Sequence, residues 1–336
     1  MEKRVFWIDN CKALAISLVA LGHIQSVFLA NEIIFAFALP SFFFLSGYTF
    51  ERSAKSSFWE LVQKKFRSLV IPYFGFSAIL FAFWFLVRRH FGMSVQAEVS
   101  PVDVLLQILW GTNSDFFVTP LWFLTCLFMT EICFWLLCRL HRAVAAVVVV
   151  TLFVYGIYYW YSMDLLHLSH AFWNVDQLCF YLYFFSAGYV FFKKGWIEKL
   201  LGVKKRNVLL VAVSALIFAG AFWIRENSSS MGLVLPMQAL MCNAGLLAFL
   251  AVVKTIPENI VLNFIGQNTL TILALHLMVQ SLLRGALAGV FHMDVAMLGN
   301  SFLVGVALTV ITLVLLVPEI LLINRFTPWL AGKRNR

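Results

Sequence analysis

The sequence predicts an all-α membrane protein of about ten transmembrane helices with both termini cytoplasmic. Three observations predict it. Of the 336 residues, 62% are apolar and only 12% charged, a balance that marks membrane-length helices rather than a soluble domain. Apolar stretches recur at about 11–30, 33–50, 70–88, 120–138, 143–161, 173–192, 207–224, 233–253, 260–282 and 300–323. The basic residues also divide unevenly between the connections. With the N-terminus inside, 21 of the 25 Lys and Arg residues fall on the cytoplasmic side, and only Arg88, Arg89, Arg225 and Arg284 fall outside. An odd number of spans would scramble that division.

The first span follows Lys3 and Arg4 and could be mistaken for a signal peptide. Asp9, Lys12 and His23 interrupt it, and no small-residue cleavage site follows, so it reads as a retained helix. The second ends in Leu39-Pro40-Ser41-Phe42-Phe43-Phe44-Leu45-Ser46-Gly47-Tyr48, where Pro40 frees a backbone carbonyl and Ser46 and Gly47 permit close approach. The inner segment 51–69 is basic with interspersed Phe58, Trp59 and Phe66, the composition of an interfacial helix. The third span opens at Ile71-Pro72-Tyr73, and the long outer connection 89–119 leads into Pro120-Leu121-Trp122. Glu131 stands mid-span in the fourth helix near Thr125 and Thr130, and His276 in the ninth has Gln280 one turn on. The outer stretch 284–299 is weakly apolar and reads as re-entrant. No repeat, low-complexity tract or linker divides the chain, so residues 1–336 read as a single domain without a soluble extension.

Composition excludes several classes of function. The net charge of +9 follows from membrane topology and not from nucleic-acid binding. The six cysteines, Cys11, Cys126, Cys133, Cys138, Cys179 and Cys242, lie in or beside apolar segments without a C-x-x-C pair and read as small buried side chains. Asp164, His167, His170 and Asp176 cluster at an outer connection, but without an H-E-x-x-H pattern they read as solvated, and no metal is expected. No Walker, dinucleotide or G-x-S-x-G pattern appears.

Chemistry concentrates in the first span. Lys12 and His23 are eleven residues apart, about three helical turns, so they share a face and stand roughly 16 Å apart along the axis. An ionisable residue inside a bilayer marks a site or a pathway. A neutral imidazole accepts a proton near physiological pH, which suits His23 to act as a general base on a hydroxyl. Asp9 and Lys12 lie toward the cytoplasmic mouth, where the lysine serves as an interfacial anchor or attracts an anionic co-substrate. Lys64, Lys65 and Arg67 either follow the positive-inside rule or clamp phosphates. Glu131 orients a histidine or pairs with a cation, and His276 is a second buried polar position; each can be structural or line the site.

In order along the chain, these pieces resemble the acyltransferase 3 family of integral-membrane O-acyltransferases. They are a basic residue and a histidine eleven residues beyond it in the first helix (Lys12, His23), an aromatic run closing in Ser46-Gly47-Tyr48, a basic segment before Pro-Tyr (Arg67, Pro72, Tyr73), and Leu121-Trp122-Phe123-Leu124 with the later Glu131. Trp7-Ile8-Asp9 and Leu39-Pro40-Ser41-Phe42-Phe43 look most like the fucose 4-O-acetylase-like branch. The resemblance implies acetyl-CoA or another acyl-CoA as co-substrate and no permanently bound cofactor. It implies a glycan or lipid-linked sugar hydroxyl of a surface or exported polysaccharide as acceptor, membrane lipids as neighbours, and a bacterial inner membrane as location. His23, Asp9 and Glu131 are then the catalytic candidates. Lys12, Arg67, Lys64 and Lys65 are candidates for the acyl-CoA, and Ser46, Tyr48, Trp122 and His276 for the acceptor. Lys12 stands where many relatives carry Arg, and a lysine cannot make the bidentate contact of an arginine. An O-succinyltransferase, a transporter of glycan or lipid-linked sugar, and a non-catalytic scaffold also fit a polytopic protein with a polar core.

Overall fold

In the computed structural model, which describes residues 5–24, 28–90, 99–111, 120–166, 170–290, 292 and 301–333, a helix lies at each of the ten expected spans. With a short helix added in the connection 89–119 and the ninth span divided in two, the main helices are α1 (Phe6–Gly22), α2 (Phe28–Tyr48), α3 (Phe58–Arg88), the short α4 (Pro101–Trp110), α5 (Trp122–Leu137), α6 (Arg142–Leu166), α7 (Val175–Lys194), α8 (Lys204–Glu226), α9 (Met231–Val253), α10 (Ile260–Gln267), α11 (Thr269–Gly289) and α12 (Phe302–Phe326). Among the described residues there is no strand, and eight helices are long and apolar enough to cross a membrane. Helices α1 and α5, with 17 and 16 residues, fall short of that length.

Several boundaries differ from the sequence reading, each for a local reason. The first helix stops at Gly22 rather than near 30, which puts His23 at its C-terminal cap. The inner segment is not a separate interfacial helix, because α3 runs unbroken from Phe58 through the third span. A capping box starts it: the Ser57 hydroxyl accepts from the Glu60 amide at 3.3 Å, and the Ser57 amide donates to the Glu60 carboxylate at 2.9 Å. The helix widens to π geometry over Phe66–Val70, just before Pro72, whose missing amide leaves an i−4 carbonyl without its donor. The ninth span breaks at Asn268. There the side-chain amide donates back to the Phe264 carbonyl at 2.7 Å, while its oxygen accepts from Lys333 and Asn324, both at 2.8 Å. Residues 284–289 continue α11 instead of re-entering, while 293–300, His167 and the side chain of Asp164 lie outside the described residues.

Contacts define two ends of the bundle. At one end Arg139 reaches the Ser56 carbonyl, Lys193 binds Glu51 at 2.9 Å, and Lys254 lies over the Trp7 ring at 5.2 Å. At the other, Arg225 binds Glu32 and Arg284 binds the His23 carbonyl. The first is the basic end.

Helix α2 is central, packing against α1, α7 and α9. Its approach to α7 is closest at two glycines. A methyl on Gly47 would overlap the Phe185 carbonyl, and one on Gly188 would overlap the Phe44 carbonyl. Small residues allow this because helices in lipid associate through close packing rather than a hydrophobic driving force. Aromatic side chains fill the space around the seam, with Phe43 stacked on Tyr181 at 4.2 Å and Phe50 edge-on to Phe185 at 5.1 Å.

Two outcomes follow for stability. Gly47→Ala and Gly188→Ala each force the α2–α7 seam apart and are expected to destabilise by about 1–3 kcal/mol, read as a lower thermal midpoint in detergent. The second concerns Glu51, which lies between the second and third spans. Hydrogen bonds from Lys55 and Lys193 hold its carboxyl from an ordinary 4.5 down to about 2. A depressed carboxyl contributes stability above its unfolded value, and that contribution fades as pH falls from about 4.5 toward 2. Glu51→Gln should therefore flatten the loss of thermal midpoint across that acid window.

Candidate active site

A helix leaves its last carbonyls without intrahelical donors, and in a membrane no water reaches them. At the end of α1, donors come from α11. Gln280 donates to the Ala20 carbonyl at 2.8 Å and Arg284 to the His23 carbonyl at 3.1 Å. The arginine also puts a positive charge where the helix dipole is negative. His276, Gln280 and Arg284 follow one another at four-residue spacing and so occupy one stripe of α11. Capping α1 with the last two brings the first against His23, with ring centroids 5.3 Å apart.

The stripe also settles the chemistry of His276. Its Nδ1 lies 2.9 Å from the Ile272 carbonyl, an acceptor, so Nδ1 must carry the hydrogen. The ring is fully buried, and Nε2 is left as a lone-pair acceptor with no partner among the described residues. The Gln280 Oε1 is likewise buried and without a hydrogen bond there. Two buried acceptors without hydrogen bonds among the described residues, beside a histidine, are exceptional inside a helix bundle and mark the pair as a candidate for proton transfer.

A cavity of about 540 Å³ opens at the same end of the bundle, bounded by α2, α5, α6, α7, α8 and α9. That volume is within the range of small-molecule sites. Phe35 lines the cavity on one side and packs on the His23 ring at 5.3 Å on the other, so it separates the cavity from the histidine pair. Trp122 and Tyr181 form part of the wall, their rings 5.9 Å apart. Opposite them, Arg225 binds Glu32 and Glu226 and donates to the Gln238 Oε1 at 2.8 Å. His170 and Asp176 also border it, joined at 2.8 Å. The roof is braced by α4, whose C-terminal carbonyls accept from Tyr73 (2.6 Å), Trp173 (3.1 Å) and Asn174 (2.6 Å). Trp173 and Asn174 adopt left-handed backbone, φ 51° and 57°, to deliver those donors. For a tryptophan this conformation costs free energy that surrounding contacts must hold in place.

The basic end holds the other predicted residues. Lys65 pairs with Glu131 at 2.6 Å, and Lys64 donates to Ser53 at 3.4 Å. Glu131 is buried and its second oxygen, Oε2, has no partner among the described residues. Arg67 is exposed on α3. Asp9 and the half-buried Lys12 belong to α1, which packs against α2, α10, α11, α12 and α9. Gly266 of α10 packs directly on the Asp9 backbone, and Asn10 holds the Ile256 and Pro257 carbonyls at 3.3 Å each. Tyr48 packs edge-on to Trp7 (5.2 Å) and Phe192 (5.3 Å) at this end, with Ser46 half-buried nearby on α2.

The structure thus joins His23 to His276, and Lys65 to Glu131, as two separate centres. Trp122 lines the cavity, whereas Ser46 and Tyr48 lie at the opposite end from it. Arg284, Arg225, Glu32 and the His170–Asp176 pair were missed as site residues. The repeated four-residue spacing from His276 through Gln280 to Arg284 was a readable signal for the first of these. Among the described residues, no three His, Cys, Asp or Glu side chains gather to hold a metal ion.

An all-helical, multi-span membrane protein with buried proton-accepting groups and an adjoining aromatic-walled cavity is the class these observations define. The chain belongs to the acyltransferase 3 family: residues 5–318 match that family's acyltransferase domain. It is therefore a membrane acyltransferase. No curated protein and no solved structure matches the chain.

Removing one partner of a buried ion pair leaves an uncompensated charge. Lys65→Ala should lower stability by about 3–5 kcal/mol. Lys65→Ala combined with Glu131→Gln should recover most of it, read by thermal unfolding of the two purified variants side by side.

Proposed function

We propose that the protein is an O-acetyltransferase of a bacterial inner membrane, of the fucose 4-O-acetylase-like kind, with both termini cytoplasmic. Acetyl-CoA supplies the acyl group, and a sugar hydroxyl of a surface or exported glycan, free or lipid-linked, receives it. The observation that carries this reading is the histidine pair: His276 presents a buried lone pair at Nε2 beside His23, next to a cavity large enough for a small acceptor.

Acetyl-CoA docks at the basic end, its phosphates drawn by Lys12, Lys64, Lys65 and Arg67. Its arm reaches inward along the Lys12 face of α1, about 16 Å to the level of His23. The acceptor hydroxyl approaches from the cavity, past Phe35 and Trp122. His23 takes the hydroxyl proton as the oxygen attacks the thioester carbonyl carbon. The C–S bond breaks, and the proton passes to the departing thiolate, giving free CoA thiol and the O-acetyl ester. His276 receives or relays the proton through Nε2, while Asp9 and the Lys65–Glu131 pair support the donor side. An imidazole base suits this step because it is neutral before and cationic after transfer near neutral pH.

Release of CoA thiol by purified protein given acetyl-CoA and glycan, with mass spectrometry of the glycan for the acetyl increment, tests the reading. His23→Ala should lower kcat about 10²–10⁴-fold while the protein remains folded. Full activity in that variant would remove the catalytic role of His23.

A further inference from the structure

The His170–Asp176 pair and the charge pattern around it have a use beyond the reaction itself. Asp176 is buried and accepts twice, from the His170 ring at 2.8 Å and from the Ala171 amide at 3.0 Å. A carboxylate fixed by a backbone amide holds the histidine in one orientation. With Nδ1 committed to Asp176, Nε2 is the atom through which the ring can meet a ligand. His170 borders the cavity, so an oriented hydrogen-bonding group is aimed at a space walled by Trp122, Tyr159, Trp160 and Tyr181.

The electrostatics of that space are one-sided. Its carboxylates are Glu32 and Asp176, and its guanidinium is Arg225. Arg225 is buried and already occupied: Nε binds Glu226 at 3.0 Å, Nη1 binds Gln238, and Nη2 binds Glu32 and Glu226. An anionic ligand entering here would meet carboxylates around a cation whose fork is already committed. A neutral ligand would meet aromatic faces for its C–H surfaces and Asn31, Gln177 and His170 for its hydroxyls. Few polar groups precisely set among aromatic walls is how enclosed sites select uncharged, polyhydroxylated molecules.

We propose that this cavity is the acceptor site and that it selects an uncharged glycan segment, gripped by His170 under the control of Asp176, and rejects uronate-bearing or phosphorylated sugars. The assignment rests on the acyltransferase reading but concerns binding, so it is tested without acyl donor. His170 is a positioning and specificity residue, not the base of the reaction.

The experiment uses the full chain in phospholipid nanodiscs, free of sugar-headed detergent. Tryptophan fluorescence follows titration with neutral gluco- and manno-oligosaccharides and with uronate oligosaccharides of equal length. The neutral series should saturate the signal and the uronates should not. His170→Ala and Asp176→Asn should each weaken neutral binding about tenfold, the cost of losing one well-placed hydrogen bond. In turnover, His170→Ala should raise KM for glycan and leave kcat nearly unchanged, opposite to the expectation for His23→Ala. Glu32→Gln should release part of the Arg225 fork and let uronates bind, a gain that a misfolded variant cannot show. Equal binding of both series, no binding of any neutral probe, or unchanged affinity in both the His170 and Asp176 variants would overturn the assignment. Each of those results leaves the role of His23 to be judged by turnover alone.

Discussion

The end of α1 is where structure and chemistry meet. Its last carbonyls cannot be left bare in a membrane, and α11 supplies the donors through Gln280 and Arg284. Those two side chains share a stripe with His276, so satisfying the helix end also sets one imidazole against the other. Helix α1 ends at Gly22 with His23 at its cap, and Phe35 packs on both Gly22 and the His23 ring. A structural requirement and a proton-accepting pair are therefore products of one arrangement.

The bundle separates two kinds of polar environment. The basic end gathers lysines and arginines around paired carboxylates, with Lys65 and Glu131 carrying that pairing up into the interior. The opposite end encloses an aromatic and hydrogen-bonding cavity whose carboxylates, Glu32 and Asp176, outnumber its single guanidinium, Arg225. On the proposed reading, a polyanionic donor and an uncharged acceptor each meet the environment suited to them, and the histidine pair lies at the cavity end. Phe35 is the side chain between cavity and histidines, so its packing bears on how the acceptor reaches the base.

Much of the architecture was legible along the chain because it is periodic or local. Runs of apolar residues, interrupted by basic connections, marked the spans. Lys12 and His23 stood out because charge is costly within such runs. Other local signals were present but not used, among them the Ser57-x-x-Glu60 capping box and the Ser100-Pro101 start with Gly111 at φ 82° that bound α4. The paired residues were less accessible. Glu131 invited a partner, yet Lys65 lies 66 residues away, and no pattern in either segment points to the other. Arg225 and Glu32 are 193 residues apart, and His23 meets His276 only after α1 and α11 have packed.

By itself the sequence determined that the chain is helical, crosses a membrane repeatedly, concentrates its basic charge on one side, and carries a histidine where lipid would otherwise be. These follow from hydropathy and helix geometry, which act over a few turns. Tertiary structure alone decided which cation neutralises Glu131, which ring faces His23, and that a cavity forms at the end remote from the basic cluster. Those outcomes depend on which helices become neighbours. Buried polar atoms must find partners across the bundle, and many pairings satisfy the same linear pattern until packing selects one.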